Sequence, residues 1–154
     1  MQKITPFLWL EKDAGAAAKY YTSIFKDSKI KEKSTFDDTP SGGIEIVTME
    51  LFGQEFTLMA AGPLFKFNEA VSFLVHCDGQ EEVDYYWEKL TADGGSESQC
   101  GWLKDKYGLS WQIIPSELDK LMSDPDPIKS KRVMEAMLAM SKIDISKLQE
   151  AYNK

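Results

Sequence analysis

Histidine and cysteine are nearly absent: the 154-residue chain has one of the former, His76, and two of the latter, Cys77 and Cys100. Two cysteines cannot build a disulfide framework, and this pair does not form a CxxC motif. The sequence therefore predicts a reducing compartment, the cytoplasm. Long apolar runs are also missing. None approaches the roughly 20 residues that a bilayer-crossing helix needs, so no membrane span is expected. The first residues, MQKITPFLWLEKD, mix acidic and basic groups into a short apolar run and do not read as a signal peptide. Basic clusters are lacking too. With 18 basic against 25 acidic side chains the net charge is −7, which repels phosphate backbones and argues against nucleic acid as a partner. What is present is ordinary for a globular chain: 43% hydrophobic and 28% charged residues, enough to bury a core without disulfides.

The chain repeats itself at an offset of 65 residues. Pro6-Phe7-Leu8-Trp9-Leu10 aligns with Val71-Ser72-Phe73-Leu74-Val75, Asp13 with Asp78, and Tyr20-Tyr21 with Tyr85-Tyr86. Each half reads as an apolar strand, an acidic turn and an aromatic-rich helix. Val83, Tyr86, Trp87 and Leu90 make one apolar helix face, as do Ala14, Ala17, Ala18, Tyr21 and Phe25. Asp13 is the expected cap of the first helix, and Asp78 with Glu81 has capping-box spacing for the second. Strands are expected over Ile44–Leu51 and Glu55–Met59 around Gly53, and over Gln99–Leu103 and Leu109–Ile114 around the turn Asp105–Gly108. The turns superpose at an offset of 55, Gly53 on Gly108 and Thr57 on Gln112. The extra length of the first module falls on its second strand and on the polar segment Asp37–Gly43, which reads as a mobile connection or a lid.

Beyond Pro115 the pattern turns helical. A short helix starts at Ser116-Glu117-Leu118-Asp119, and Pro125 and Pro127 interrupt. Val133, Met134, Met137, Leu138 and Ser141 form an amphipathic face, and Ser146 to Gln149 opens a last helix with capping-box spacing. This tail is expected to pack on the domain or on a partner subunit. The expected organisation is one domain over 1–115, with module one at 1–62 and module two at 68–115, followed by a helical extension over 116–154.

A βαβββ unit used twice resembles the vicinal oxygen chelate superfamily, which includes glyoxalase I, extradiol dioxygenases and bleomycin-resistance proteins. Ile4–Trp9, Ala18–Phe25, Cys77–Trp87, Cys100–Gln112 and Val133–Leu138 resemble its PhnB-like branch, often labelled 3-demethylubiquinone-9 3-methyltransferase domain. The likeness runs along essentially the whole chain. It implies an α+β fold: two modules forming a cupped, mostly antiparallel sheet with helices on the convex face and the ligand in the cup. It also implies a homodimer. Metal-dependent members place His or carboxylate ligands on the first and last strand of each module. Carried over by the repeat, those positions fall at Pro6, Thr57, Val71 and Gln112. None is a His or a carboxylate, so no metal and no other cofactor is expected.

Counting alternation from Pro6 and Val71 places Leu8, Leu10, Phe73 and Val75 on the cup face, and Phe7 and Trp9 toward the helices. Trp111 lies opposite Gln112, and the register of Trp102 is open. The expected ligand pocket is Pro6, Leu8, Thr57, Val71, Phe73, Trp102 and Gln112, with Gln112 able to donate and accept hydrogen bonds. No catalytic residue is identified, and the weak candidates are Glu55 and His76. Glu55 in a dry cup could be an acid or base, and on a solvated edge it is only a surface charge. His76 could be a general base, but no paired carboxylate is visible, which favours an edge histidine beside the Asp78 turn. Cys100 has no adjacent base or cation and reads as a packed thiol.

These features point to a protein that binds a small organic molecule in an apolar cup, without metal, activity unassigned. A metal-dependent lyase, isomerase or dioxygenase of the same superfamily is the alternative. Methyl transfer to a ubiquinone precursor, the sense of the label, carries less weight: the chain has no GxGxxG and no βαβαβ pattern.

Overall fold

A computed structural model describes residues 2–154. Each half runs strand, helix and then three strands, as the repeat predicts: β1 (Phe7–Leu10), α1 (Ala14–Ile24), β2 (Ser28–Thr39), β3 (Gly42–Leu51) and β4 (Gln54–Ala60), then β5 (Ser72–Cys77), α2 (Gly79–Thr91), β6 (Ser96–Glu97), β7 (Trp102–Lys104) and β8 (Ser110–Pro115). Three helices follow: α3 (Ser116–Met122), α4 (Pro127–Leu138) and α5 (Ile145–Asn153). The chain divides into two units, one ending at Lys66 and the other spanning Phe67–Lys154.

Each unit builds a four-stranded mixed sheet with the same topology, β1-β4-β3-β2 and β5-β8-β7-β6. The first strand of each module pairs in parallel with the last, and the other pairs are antiparallel. In the first unit Leu51 pairs with Gln54 across Phe52-Gly53, both at positive φ (50° and 77°). That is the geometry of a two-residue type I′ hairpin, which a glycine accepts without strain. Helix α1 lays Ala14, Ala17, Ala18 and Tyr21, all fully buried, on one face of this sheet. Small side chains let the helix approach closely. Asp13 caps it, its Oδ1 accepting from the Ala16 N–H at 2.8 Å. In the second unit α2 buries Val83, Tyr86, Trp87 and Leu90.

Several details differ from the sequence reading. Asp37–Gly43 is not a mobile loop: β2 continues to Thr39, which pairs with Gly42 around Pro40-Ser41, so the segment is the tip of a long hairpin. Cys100 and Gly101 are not strand. Both have positive φ, and their N–H groups donate to Met140 O and Ser141 O, each at 2.8 Å. The tail takes the hydrogen bonds a strand would have used, and β7 starts only at Trp102. At α2 the reciprocal cap comes from Glu82 rather than Glu81, its Oε2 accepting from the Asp78 N–H at 2.8 Å. At α5 the cap is Asp144, which accepts from Lys147 N, and the helix begins before Ser146.

The tail packs on the second unit. Leu118, Val133, Ile143 and Leu148 enclose Ile114 of β8, with Met137, Met140 and Tyr152 against them. Met134 and Leu138 of the expected apolar face instead point outward, 40% and 57% exposed. Gln80 fastens the junction, donating to Ile143 O at 3.0 Å and accepting from Ile145 N at 2.9 Å.

Candidate functional site

A sheet with a helix on one face leaves the other face available, so the site depends on which way each strand side chain points. In the first unit the helix side is fixed by Glu45, whose Oε1 lies against Gly15 of α1. Val47, Met49 and Leu51 share its parity and are buried, and in β4 the buried set is Phe56, Leu58 and Ala60. Through the β1–β4 register, Leu8 and Leu10 join that buried set, while Phe7 and Trp9 lie beside Thr57 and Met59 on the open face. In the second unit Trp111 and Ile113 are buried, and their partners Phe73 and Val75 lie on the same helix side. The Phe73 ring sits 5.6 Å from that of Trp111. Ser72, Leu74, Ser110, Gln112, Trp102 and Lys104 occupy the open face.

This corrects the parity expected from the sequence. Leu8, Leu10, Phe73 and Val75 belong to the helix-covered core, and Phe7 and Trp9 do not. Pro6 and Val71 precede β1 and β5, so counting inward from them as pocket positions inverts both strands. Pro6 contributes a carbonyl that accepts from Thr57 N at 2.9 Å, and Val71 is 63% exposed. Trp9 donates from Nε1 to Gly62 O at 2.8 Å and meets Phe65 edge-on at 5.0 Å. Of the expected pocket residues, Thr57, Trp102 and Gln112 reach an open face. Gln112 Nε2 donates to Ser72 Oγ at 2.9 Å, and its register partners are Leu74 and Trp102.

The catalytic candidates lie on different sheets. Glu55 Oε2 is ion-paired to Lys31 Nζ at 2.7 Å, and Lys31 also lies 3.9 Å from Glu50 Oε2. Contact with Glu55, by hydrogen bond and by charge, raises the Lys31 pKa above its ordinary value. Glu55 therefore sits in a solvated ion cluster, the surface-charge alternative. His76 is exposed at the end of β5, opposite Ile114. Cys77 is fully buried, and burial pushes its thiol up to about 12.

The superfamily's metal positions do not suit a divalent transition metal here. Pro6 and Val71 have no side-chain donor, and Thr57 and Gln112 offer only neutral oxygens. Among the described residues no group of three His, Cys, Asp or Glu side chains could hold a metal ion.

Sequence reasoning passed over three polar residues of the second unit. Lys104 bridges to Glu69 at 2.5 Å, and contact with Lys104 holds the Glu69 carboxyl below the usual range. Ser110 is 1% exposed, and its Oγ has no hydrogen-bond partner. These side chains, with Trp102, Ser96 and Ser98, line a cavity of about 220 Å³. Lys104 and Ser110 flank the predicted Asp105–Gly108 turn, so their cross-strand pairing was the available signal. Buried Asp105 organises that turn, Oδ1 accepting from Tyr107 N and Leu109 N and Oδ2 from Trp111 Nε1.

Two βαβββ modules, each with a helix on one sheet face, define a member of the vicinal oxygen chelate superfamily. Within it the chain belongs to the family described as 3-demethylubiquinone-9 3-methyltransferase, whose sequence model matches residues 2–114. The PhnB protein of Bacillus cereus is 35% identical over 75% of this chain and 100% of its own, with a TM-score of 0.67. The fosfomycin resistance protein FosX of Listeria monocytogenes is 18% identical over 77% of this chain and 94% of its own, with a TM-score of 0.55. A glyoxylase/bleomycin resistance protein/dioxygenase domain from Frankia is 15% identical over 75% and 98%, with a TM-score of 0.53. The last two share the fold alone. No curated protein matches the chain. The family match stops at 114, so it does not include the tail segment Val133–Leu138.

Proposed function

We propose that this protein binds a small organic molecule on the open face of its second sheet, as a metal-free, cytoplasmic homodimer. The observation that carries the reading is the row Leu74, Gln112 and Trp102, adjacent by register on the face opposite α2, where the tail covers only the Ile114 end. An apolar side chain, an amide and an indole are the ingredients of a small-molecule site: apolar walls with a few placed polar groups. They are not the ingredients of a Lewis-acid centre. The candidate acid–base groups Glu55 and His76 belong to different sheets, and the pair at this face, Lys104 with Glu69, is an ion pair, so binding is the function the side chains support. Methyl transfer finds no support beyond the family label: the donor is usually held by a Gly-rich strand-to-helix turn in a parallel sheet, and both sheets here are mixed. Among the described residues no helix is long and apolar enough to cross a membrane.

Native mass spectrometry of untagged protein, purified without chelators, tests the proposal. The expected spectrum is a dimer free of metal, with or without a retained organic mass. One transition metal per subunit, removable by chelator, would overturn the metal-free reading in favour of a glyoxalase-like enzyme. A fragment screen by NMR then tests binding itself, with shifts expected at Leu74, Trp102 and Gln112. A screen in which no fragment shifts them sinks the site.

A further inference from the structure

Resting on the proposed binding face, we infer that its ligand is a small monocarboxylate, held by Lys104 and Ser110 in place of the Glu69 side chain. The register makes one continuous row across all four strands of the second sheet: Ser96 on β6, Lys104 on β7, Ser110 on β8 and Ser72 on β5. Side chains paired across strands lie about 5 Å apart at their Cβ atoms, so the row sets an ammonium between hydroxyls. The row borders the cavity that also takes in Trp102 and Glu69.

Two independent observations give this cavity a ligand. The first is Ser110: its hydroxyl is buried at the cavity with no partner, and a polar group left so is costly unless something else bonds it. The second is Glu69. Its carboxylate already stands on the Lys104 ammonium, which makes it a built-in stand-in for a ligand carboxylate. Glu69 belongs to the irregular segment before β5, in a turn where Asn68 Oδ1 accepts from Ala70 N at 2.9 Å, and its side chain is 63% exposed. An exposed ion pair of this kind contributes little, so an incoming carboxylate can displace it. The other carboxylate at the cavity, Glu97, is turned to the helix side. It pairs in register with buried Leu103 and accepts from Trp87 Nε1 at 2.8 Å.

Charge and size narrow the class further. One lysine faces the cavity in a chain of net charge −7, which suits a monoanion over a phosphate dianion. A cavity of about 220 Å³ suits a small ligand, with an apolar body to lie on Trp102.

The test is a ¹⁵N-HSQC titration of the full-length protein with benzoate, with benzamide as its neutral counterpart, and with inorganic phosphate. Benzoate is expected to shift the Lys104 and Ser110 amides and the Trp102 indole, while benzamide and phosphate leave them in place. Glu69→Gln should tighten benzoate about two- to fivefold, because it removes the resident competitor. Lys104→Met should abolish benzoate binding, and Ser110→Ala should weaken it about tenfold. A merely structural Glu69–Lys104 bridge would not make E69Q bind more tightly. Benzamide binding as well as benzoate, or E69Q failing to tighten it, overturns the inference. If neutral fragments shift Trp102 and Gln112 while no carboxylate binds, the binding face stands and the carboxylate reading falls. If nothing binds there, both fall.

Discussion

Replacing Asp105 with alanine tests the element that sets the geometry of the proposed site. Asp105 is 2% exposed, and its carboxylate accepts from Tyr107 N at 2.8 Å, Leu109 N at 3.1 Å and Trp111 Nε1 at 2.9 Å. Alanine strands two amides and an indole N–H. Each buried donor without a partner costs about 1–3 kcal/mol. Two effects reduce the sum: water enters the vacated space, and the folded state no longer desolvates a carboxylate. We expect a net loss of about 3 kcal/mol. With a urea m-value of about 2 kcal/mol/M, the midpoint should fall by roughly 1.5 M at unchanged m. Asp105→Asn keeps one acceptor for the amides but turns an NH₂ toward the Trp111 N–H, so its loss should be about 1–2 kcal/mol. Trp111→Phe in the D105N background should then add less than it does alone, because the two share one bond. A D105A midpoint within about 0.5 M of wild type would refute the argument, since that corresponds to roughly 1 kcal/mol. Loss of the turn should also broaden the Lys104 and Ser110 amide resonances, because it holds their strands in register.

Gly101 and Gly108 have nearly the same φ, 82° and 83°, but an added Cβ at Gly101 would sit 2.9 Å from Ile114 Cδ1 and 3.0 Å from Ile113 O, and at Gly108 would meet nothing. G108A should therefore carry only the backbone penalty of about 1–2 kcal/mol, with G101A well beyond it in thermal melts; equal shifts would refute the close approach. Cys77, buried and pushed up to about 12, should resist a thiol reagent at pH 8, where about one molecule in ten thousand is thiolate. Its labelling in native protein as fast as after unfolding would contradict that burial. Asp84 is held below its ordinary value of 3.8, first by its hydrogen bond with Lys142 and then by that with Gln80. A depressed folded-state pKa contributes stability that is present above about 4 and lost as pH falls below it. Urea midpoints should thus fall with pH below 4, less steeply in D84N, and identical slopes would remove Asp84 from the account.

The helices were legible because their apolar residues recur at helical spacing and are flanked by acidic caps. The βαβββ order was legible because it occurs twice. The strand faces were not, and β1 shows why. Phe7-Leu8-Trp9-Leu10 is apolar throughout, so alternation of polarity cannot say which pair meets the helix. The same holds for Phe73-Leu74-Val75. Once α1 and α2 are placed, the aliphatic Leu8 and Leu10 pack under one helix and Val75 under the other, and the aromatic residues of β1 take the opposite side. Thr57 and Gln112 survived as open-face residues because their strands carry polar residues that fix the parity, whereas the register of Trp102 was open in the sequence and is set by its pairing with Gln112. Lys104 and Ser110 lie six residues apart in sequence, and only the hairpin register makes them neighbours. The Cys100-Gly101 turn could not be read locally, since its hydrogen bonds go to the tail, about 40 residues on.

The repeat also explains why one sheet, rather than both, carries the proposed carboxylate site. An offset of 55 brings Thr57 onto Gln112 and Glu55 onto Ser110, and the hairpin partner of each then corresponds: Glu50 opposite Glu55, Lys104 opposite Ser110. The equivalent open-face pair is therefore two carboxylates in the first module and an ammonium with a hydroxyl in the second. Like charges directly opposite repel, and Lys29 and Lys31 neutralise them in the first module, leaving Lys31 committed to Glu55. In the second module the signs are inverted: the lysine belongs to the sheet, and the neutralising group, Glu69, comes from an exposed turn. The strands have slipped as well. The offsets would bring Ser72 opposite Gln112, as Phe7 is opposite Thr57, but Leu74 holds that place. A shift of two residues keeps every side chain on its face and moves Ser72 beside Ser110. Slip and charge inversion together produce the Ser–Lys–Ser–Ser row, whose counterpart in the first module sets two carboxylates, already paired with Lys29 and Lys31, where an anion would need an ammonium.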